Sequence, residues 1–122
     1  MKIRIKGNSV RFRLSRKEVE DFCRLGKVRE RTEFDKGTFT YALEQRDDIS
    51  ELSADFAANT ITLYLPTRAS ADWDTSDRVG FSNSADWNDP DTLSLLVEKD
   101  FACIDNTNED QSDNYPNPNA AC

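Results

Sequence analysis

No histidine occurs anywhere in these 122 residues. That absence removes Ser-His-Asp and Cys-His catalysis and every zinc site that needs imidazole. Acid–base chemistry is left to carboxylates, Lys, Tyr or Cys. No apolar run approaches the roughly 18 residues of a membrane-spanning helix. Met1-Lys2-Ile3-Arg4-Ile5-Lys6 alternates charge with isoleucine where a signal peptide would carry an apolar core. The expectation is a cytoplasmic chain with reduced thiols and no membrane partner. The last stretch, residues 101–122, has no Lys or Arg, while it holds Asp105, Glu109, Asp110, Asp113 and two of the four prolines. On composition it is an acidic C-terminal tail with little apolar surface to bury.

What is present fits one soluble domain over 1–122, with hydrophobic residues at 37% and charged residues at 32%. The net charge of −7 conceals an asymmetry. Residues 1–31 hold eleven Lys/Arg against four Asp/Glu; residues 32–122 hold five against nineteen. Either the basic first third lies against the acidic remainder, or a basic surface is kept for an anion. The acidic total argues against nucleic acid as partner.

Three hairpins can be read with their registers. Gly7-Asn8 joins Lys2–Lys6 to Ser9–Leu14 through a two-residue loop with glycine first, which suits a type II′ turn. That register sets Ile5 opposite Val10 and Ile3 opposite Phe12, and on the other face Arg4 opposite Arg11 and Lys2 opposite Arg13. The second hairpin, Val28–Phe34 with Phe39–Arg46 around Lys36-Gly37, is expected to pair Phe34 with Phe39, Thr32 with Tyr41 and Arg29 with Glu44. The third, Glu51–Ala57 with Thr60–Leu65 around Ala58-Asn59, pairs Phe56 with Ile61, Ala54 with Leu63 and Leu52 with Leu65. Between the first two hairpins, Ser15-Arg16-Lys17-Glu18 is a capping box and Leu14 with Val19 a hydrophobic staple. They start a helix at about 15–26 that Gly26 ends; Val19, Phe22 and Cys23 share its apolar face.

Residues 67–91 form a polar excursion with near-copies Ser70-Ala71-Asp72-Trp73-Asp74 and Ser84-Ala85-Asp86-Trp87-Asn88 and a short strand at Val79–Phe81. Tryptophans in polar loops call for burial, so the excursion is expected to fold back over the sheet. A last strand, Leu93–Lys99, leads into the tail. The fold expected is α+β: a mostly antiparallel sheet or small open barrel, made of three hairpins and a last strand, with one helix.

Lys2, Arg4, Arg11 and Arg13 are the candidate anion-binding residues. Like charges facing each other across strands destabilise a hairpin unless an anion sits among them. The bland source of that anion is Glu30, Glu33 or Glu44 of the second hairpin. The functional one is a small bound phosphate or carboxylate, which arginine forks match. A barrel with this face inward would resemble the triphosphate tunnel enzymes and make the chain a metal-dependent phosphohydrolase. Those carry Glu-x-Glu-x-Lys on the first strand, and Lys2-Ile3-Arg4-Ile5-Lys6 has no glutamate.

The tail offers a second constellation, Cys103, Asp105, Asp110, Asp113 and Cys122, which would make the chain a metal-binding domain. Its cysteines lie eighteen residues apart, unlike C-x2–4-C zinc spacing. Asp105 to Glu109 has the oxygen spacing of a calcium loop but lacks its glycine at the sixth position and its glutamate at the twelfth. A Cys103–Cys122 disulfide would be unusual in the cytosol. Docking through Tyr115 and the prolines is the simplest way to hold the segment. Apart from a divalent metal in these readings, no cofactor is expected. Asp47-Asp48 and Asp89-Pro90-Asp91 sit in turn contexts, where aspartate is favoured for backbone reasons.

Lys2–Ser15, Leu52–Pro66, Glu98–Phe101 and Glu109-Asp110-Gln111-Ser112-Asp113-Asn114-Tyr115-Pro116-Asn117-Pro118 together resemble a family of small bacterial domains of unknown function. The resemblance spans most of the length and implies no activity. The functional expectation therefore comes from the residues: a small binding or interaction module that takes an anionic ligand on the basic hairpin or self-associates through it.

Overall fold

The computed structural model describes residues 1–85 and 88–101. The order is β1 (Lys2–Lys6), β2 (Ser9–Leu14), α1 (Arg16–Leu25), β3 (Lys27–Phe34), β4 (Gly37–Arg46), β5 (Ser53–Ala57), β6 (Thr60–Pro66), α2 (Thr67–Ser70), a 3₁₀ turn at Trp73–Thr75, β7 (Gly80–Ser82) and β8 (Ser94–Lys99). The class is α+β, mostly strand. Among the described residues no helix is long and apolar enough to cross a membrane.

The strands form two four-stranded sheets, ordered β1-β2-β8-β7 and β3-β4-β6-β5. Both follow one plan. Two antiparallel hairpins lie side by side, and the inner pairs, β2 with β8 and β4 with β6, are parallel. The expected antiparallel hairpins are therefore present. The single sheet or open barrel gives way to two mixed sheets, and no barrel closes among the described residues. Alternating apolar residues specify which face of a strand is buried, not the direction of the strand beside it. Between β4 and β5 the chain crosses the end of its sheet, with Leu52 buried in the core on the way.

The first hairpin has the expected register, Ile5 to Val10, Arg4 to Arg11, Ile3 to Phe12 and Lys2 to Arg13, with Gly7 at φ 55° in its turn. The third pairs Phe56 with Ile61 and Ala54 with Leu63. Both of its turn residues have positive φ (Ala58 51°, Asn59 60°), the type I′ geometry of two-residue loops.

The second hairpin is displaced by two residues from expectation. Thr32 faces Phe39, Phe34 faces Gly37, Lys27 faces Glu44 and Arg29 faces Ala42, around Asp35-Lys36. The cause lies at the other end of the hairpin. Gly26, at φ 82°, ends α1, and its carbonyl accepts the Gln45 amide at 2.9 Å. That bond puts Val28 opposite the fully buried Leu43. The alternative register would have opposed Glu30 to Leu43. Burial of the leucine outweighs a pairing of Phe34 and Phe39 at the exposed tip.

One core lies between the inner faces of the sheets. Phe12, Leu14, Leu95 and Val97 meet Leu43, Leu63 and Leu65, and α1 adds Val19 and Phe22. Each fully buried side chain of this size is worth about 1.5–3 kcal/mol. Helix α1 starts as its sequence requires. The Ser15 hydroxyl accepts the Glu18 amide at 3.3 Å, and the Glu18 carboxylate accepts the Ser15 amide at 2.8 Å.

The polar excursion does fold back. Trp73 is fully buried, edge-on to Phe22 (6.4 Å) and Phe81 (5.2 Å), and its indole N–H donates to the Arg78 carbonyl at 2.9 Å. Trp87 lies outside the described residues, as do Cys103, Asp105, Asp110, Asp113 and Cys122. The strand expected at Val79–Phe81 runs Gly80–Ser82. Gly80 is there for space: a Cβ on it would stand 2.3 Å from the Val97 carbonyl oxygen.

Candidate functional site

The first sheet has an apolar inner face and a charged outer face. Along β1 and β2 the residues alternate, so Ile3, Val10, Phe12 and Leu14 point to the core and Lys2, Arg4, Lys6, Arg11 and Arg13 point away from it. The four candidate anion-binding residues thus stand on one surface in two facing rows, Lys2–Arg13 and Arg4–Arg11. Lys6 extends the same face opposite Ser9. Rows two residues apart are about 7 Å from each other along the strands.

Parallel pairing brings β8 alongside, with Arg13 in register with Glu98 and Arg11 with Leu96. The Arg13 guanidinium donates through Nε to Glu98 Oε1 at 2.8 Å, and Arg11 Nε is 3.8 Å from the same oxygen. Lys2 Nζ is 2.8 Å from Asp100 Oδ2. Among the described residues, acids on the ladder include Glu98 of β8 and Asp100 just after it. Glu30 is 3.5 Å from the amine of Met1 and Glu33 is 3.5 Å from Arg31, while Glu44 faces Lys27 in the other sheet. The expected source of the counter-charge is corrected accordingly. The Glu98 side chain is 19% exposed, Arg11 30% and Arg13 40%, so this pair is partly shielded from water, whereas Lys2 at 75% is not.

Three clefts of similar size open on the described surface. One, about 310 Å³, is lined by Lys2, Ile3, Arg4, Arg11 and Arg13 and lies on the basic face. A second, also about 310 Å³, lies at the start of α1 between Leu14, Val19, Lys99 and Phe101. A third, about 290 Å³, is apolar and opens where the two sheets part, between Ile5, Val10, Phe56, Ile61 and Leu93.

Other titratable groups are explained by local structure. Glu18 receives the Met1 amine and the Ser15 amide, and Tyr41 donates to the Met1 carbonyl at 2.7 Å. Burial pushes the Glu18 carboxyl up, but the amine and the Ser15 hydrogen bonds outweigh it and hold the group below its ordinary value. Burial raises the Tyr41 phenol, helped by the nearby charges of Glu30 and Glu18. Cys23 lies on the apolar face of α1 as expected, with its thiol 3.5 Å from the Ser70 carbonyl. Burial, foremost, pushes that thiol up, away from the thiolate a nucleophile needs. Asp48 holds Arg46 in a two-pronged pair at 2.9 and 2.7 Å, and Asp89 caps its own turn through the Asp91 amide and the Thr92 hydroxyl, each at 2.9 Å. Asp89 thus serves its own turn, as that context implies, whereas Asp48 is held by a side chain two residues away.

Among the described residues no three His, Cys, Asp or Glu side chains converge as a metal site. The metal constellation of the tail lies outside those residues. The charged-tunnel arrangement needs an inward basic face, and here that face is the outer one. Sequence reasoning did not place Glu98 and Asp100 beside these cations. Their alternation with Leu95 and Val97 places them on an outward face, but nothing local says that β8 lies beside β2.

Comparison with known proteins adds a family and no activity. No curated protein and no solved structure matches the chain. A model of a family of unknown function, DUF7009, matches residues 1–119, and the chain belongs to that family.

Proposed function

From membership of a family without an assigned activity, we propose that the protein is a small cytoplasmic binding module that takes an anionic ligand on the outer face of its first sheet. One observation carries the reading: Lys2, Arg4, Arg11 and Arg13 line a single cleft of about 310 Å³ on a paired hairpin. The hairpin itself gains nothing from facing cations; Arg4 opposite Arg11 and Lys2 opposite Arg13 cost stability unless anions lie among them. Glu98 and Asp100 are two such acids. A phosphate- or carboxylate-bearing ligand has the chemistry this face would take, because arginine forks bind both groups with directed hydrogen bonds. The two rows about 7 Å apart suit an anion with several charged groups better than a single ion.

The test uses tripolyphosphate as probe, with binding followed by calorimetry at low and high salt. Arg4→Glu is expected to abolish binding, and the folded spectrum is expected to remain, since Arg4 lies on an edge strand and is exposed. Wild-type binding that survives Arg4→Glu unchanged, or fails to weaken with salt, removes the reading. Sedimentation of the same samples registers self-association through this face, the competing use of the ladder.

A further inference from the structure

The second sheet ends in an open strand. Among the described residues β3 pairs only with β4, and its residues 29–34 are exposed. Two bonds show which way its backbone points. The Gln45 amide donates to the Gly26 carbonyl at 2.9 Å, whereas the Thr40 amide donates away from β3, to the Asn59 carbonyl at 3.0 Å. Antiparallel bonding alternates residue by residue, so the even positions of β3 bond to β4. Lys27, Arg29, Arg31 and Glu33 turn their amides and carbonyls to the open side. Charged side chains on such an edge ordinarily keep other strands away. Here they are sorted by sign. On the outer face Lys27, Arg29 and Arg31 are followed by Glu33 and Asp35. Read backwards, that order is very nearly its own complement, which is what antiparallel pairing with an identical strand requires.

We infer that β3 pairs antiparallel with β3 of a second copy of this chain, about a two-fold axis at Arg31, joining two four-stranded sheets into one. In this register Arg29 faces Glu33 of the partner subunit, Lys27 faces the partner's Asp35, and Val28 faces the partner's Phe34. Each of these pairings occurs twice. The bonded pairs at Arg31 and at Arg29 with Glu33 supply about six main-chain hydrogen bonds. Phe34, 65% exposed at the hairpin tip, gains an apolar neighbour. The one like-charged row is Arg31 against its copy, and Glu33 stands 3.5 Å from Arg31 on the same strand to offset it. The neighbouring registers are poorer. One sets Arg29 against Arg31 twice and Glu30 against itself; the other sets Phe34 against Glu30. Strand addition of this kind draws affinity from the main chain and specificity from the facing side chains. The contact does not use the basic ladder of the first sheet.

Sedimentation equilibrium of the full chain, from micromolar to millimolar concentration, measures the dimer in wild type, Arg29→Glu, Glu33→Arg, the double exchange and Arg4→Glu. Each single reversal on β3 turns attraction into repulsion at two symmetric places and should weaken the dimer roughly tenfold. The double exchange, Arg29→Glu with Glu33→Arg, restores both pairings and should return to within about threefold of wild type. Arg4→Glu should leave the dimer unchanged. A wild type that stays monomeric throughout overturns the inference. So does a dimer that tolerates both single reversals, or a double exchange no stronger than they are. A dimer lost in Arg4→Glu assigns self-association to the first sheet and likewise overturns it. Should a reversal fail to fold, hydrogen exchange on the wild type decides. The amides of Arg29, Arg31 and Glu33 should gain protection as concentration rises, and exchange independent of concentration overturns the inference.

Discussion

Replacing Glu98 with glutamine should move stability and anion affinity in opposite directions. Glu98 is the acid in register with Arg13, 2.8 Å from its Nε and 3.8 Å from Arg11 Nε. Glutamine keeps the volume and one acceptor oxygen but removes the charge. A hydrogen bond to a charged group contributes about 1.5–3 kcal/mol in shielded settings. The arginines here are 30–40% exposed, so solvent screening brings the expected loss to roughly 1–2 kcal/mol. At about 2.1 cal/mol/K of unfolding entropy per residue, a chain of this size loses roughly 4–8 °C of Tm. The same change removes a negative charge about 7 Å from a ligand on the ladder. In water that repulsion is about 0.6 kcal/mol per ligand charge, before salt screening. Tripolyphosphate affinity is therefore expected to rise roughly three- to tenfold at 50 mM salt and to lose that gain near 1 M. Scanning calorimetry and titration calorimetry on one preparation read both quantities. If affinity falls together with Tm, Glu98 serves to hold the arginines in place and the electrostatic account of the face is wrong.

Three further outcomes test other parts of the fold. Gly80→Ala forces a Cβ to 2.3 Å from the Val97 carbonyl oxygen, so β7 must leave β8; chemical denaturation should show a loss of at least about 1–3 kcal/mol, and an unchanged midpoint contradicts the packing described. Glu18 sits below its ordinary value in the folded protein because the Met1 amine and Ser15 hydrogen bonds outweigh its burial. Its charge therefore stabilises the fold above about pH 4.3, and that contribution fades as pH falls through the lower folded value. Glu18→Gln, which preserves the capping box, should lower Tm at pH 6 and converge on wild type once the pH falls below the lowered folded value. Ala58→Asn places a residue that tolerates the left-handed region at φ 51°, so the β5–β6 turn should gain about 0.5–1 kcal/mol; a loss would mean that the turn is not type I′ in solution.

The sequence by itself determined the local pieces. Ser15 and Glu18 start α1 and Gly26 stops it because the orphaned amides and carbonyls of a helix end must be satisfied within a few residues. The turns at Gly7-Asn8 and Ala58-Asn59 place facing residues in register because a two-residue loop leaves no slack. The four-cation face follows from that register and the two-residue period of a strand, so it was legible before any coordinates. The tertiary structure alone decided what stands beside those pieces. In the second hairpin, the bond from Gln45 to Gly26 and the burial of Leu43 chose a register that the turn residues did not. Residues some 85 positions apart, Arg13 and Glu98, became neighbours through a parallel pairing that leaves no mark on either strand. Periodicity records the environment above and below a strand, whereas lateral neighbours are set by how the shared core is best filled. The cations of the candidate site can therefore be read from Lys2–Leu14, and their counter-charges only from the folded sheet.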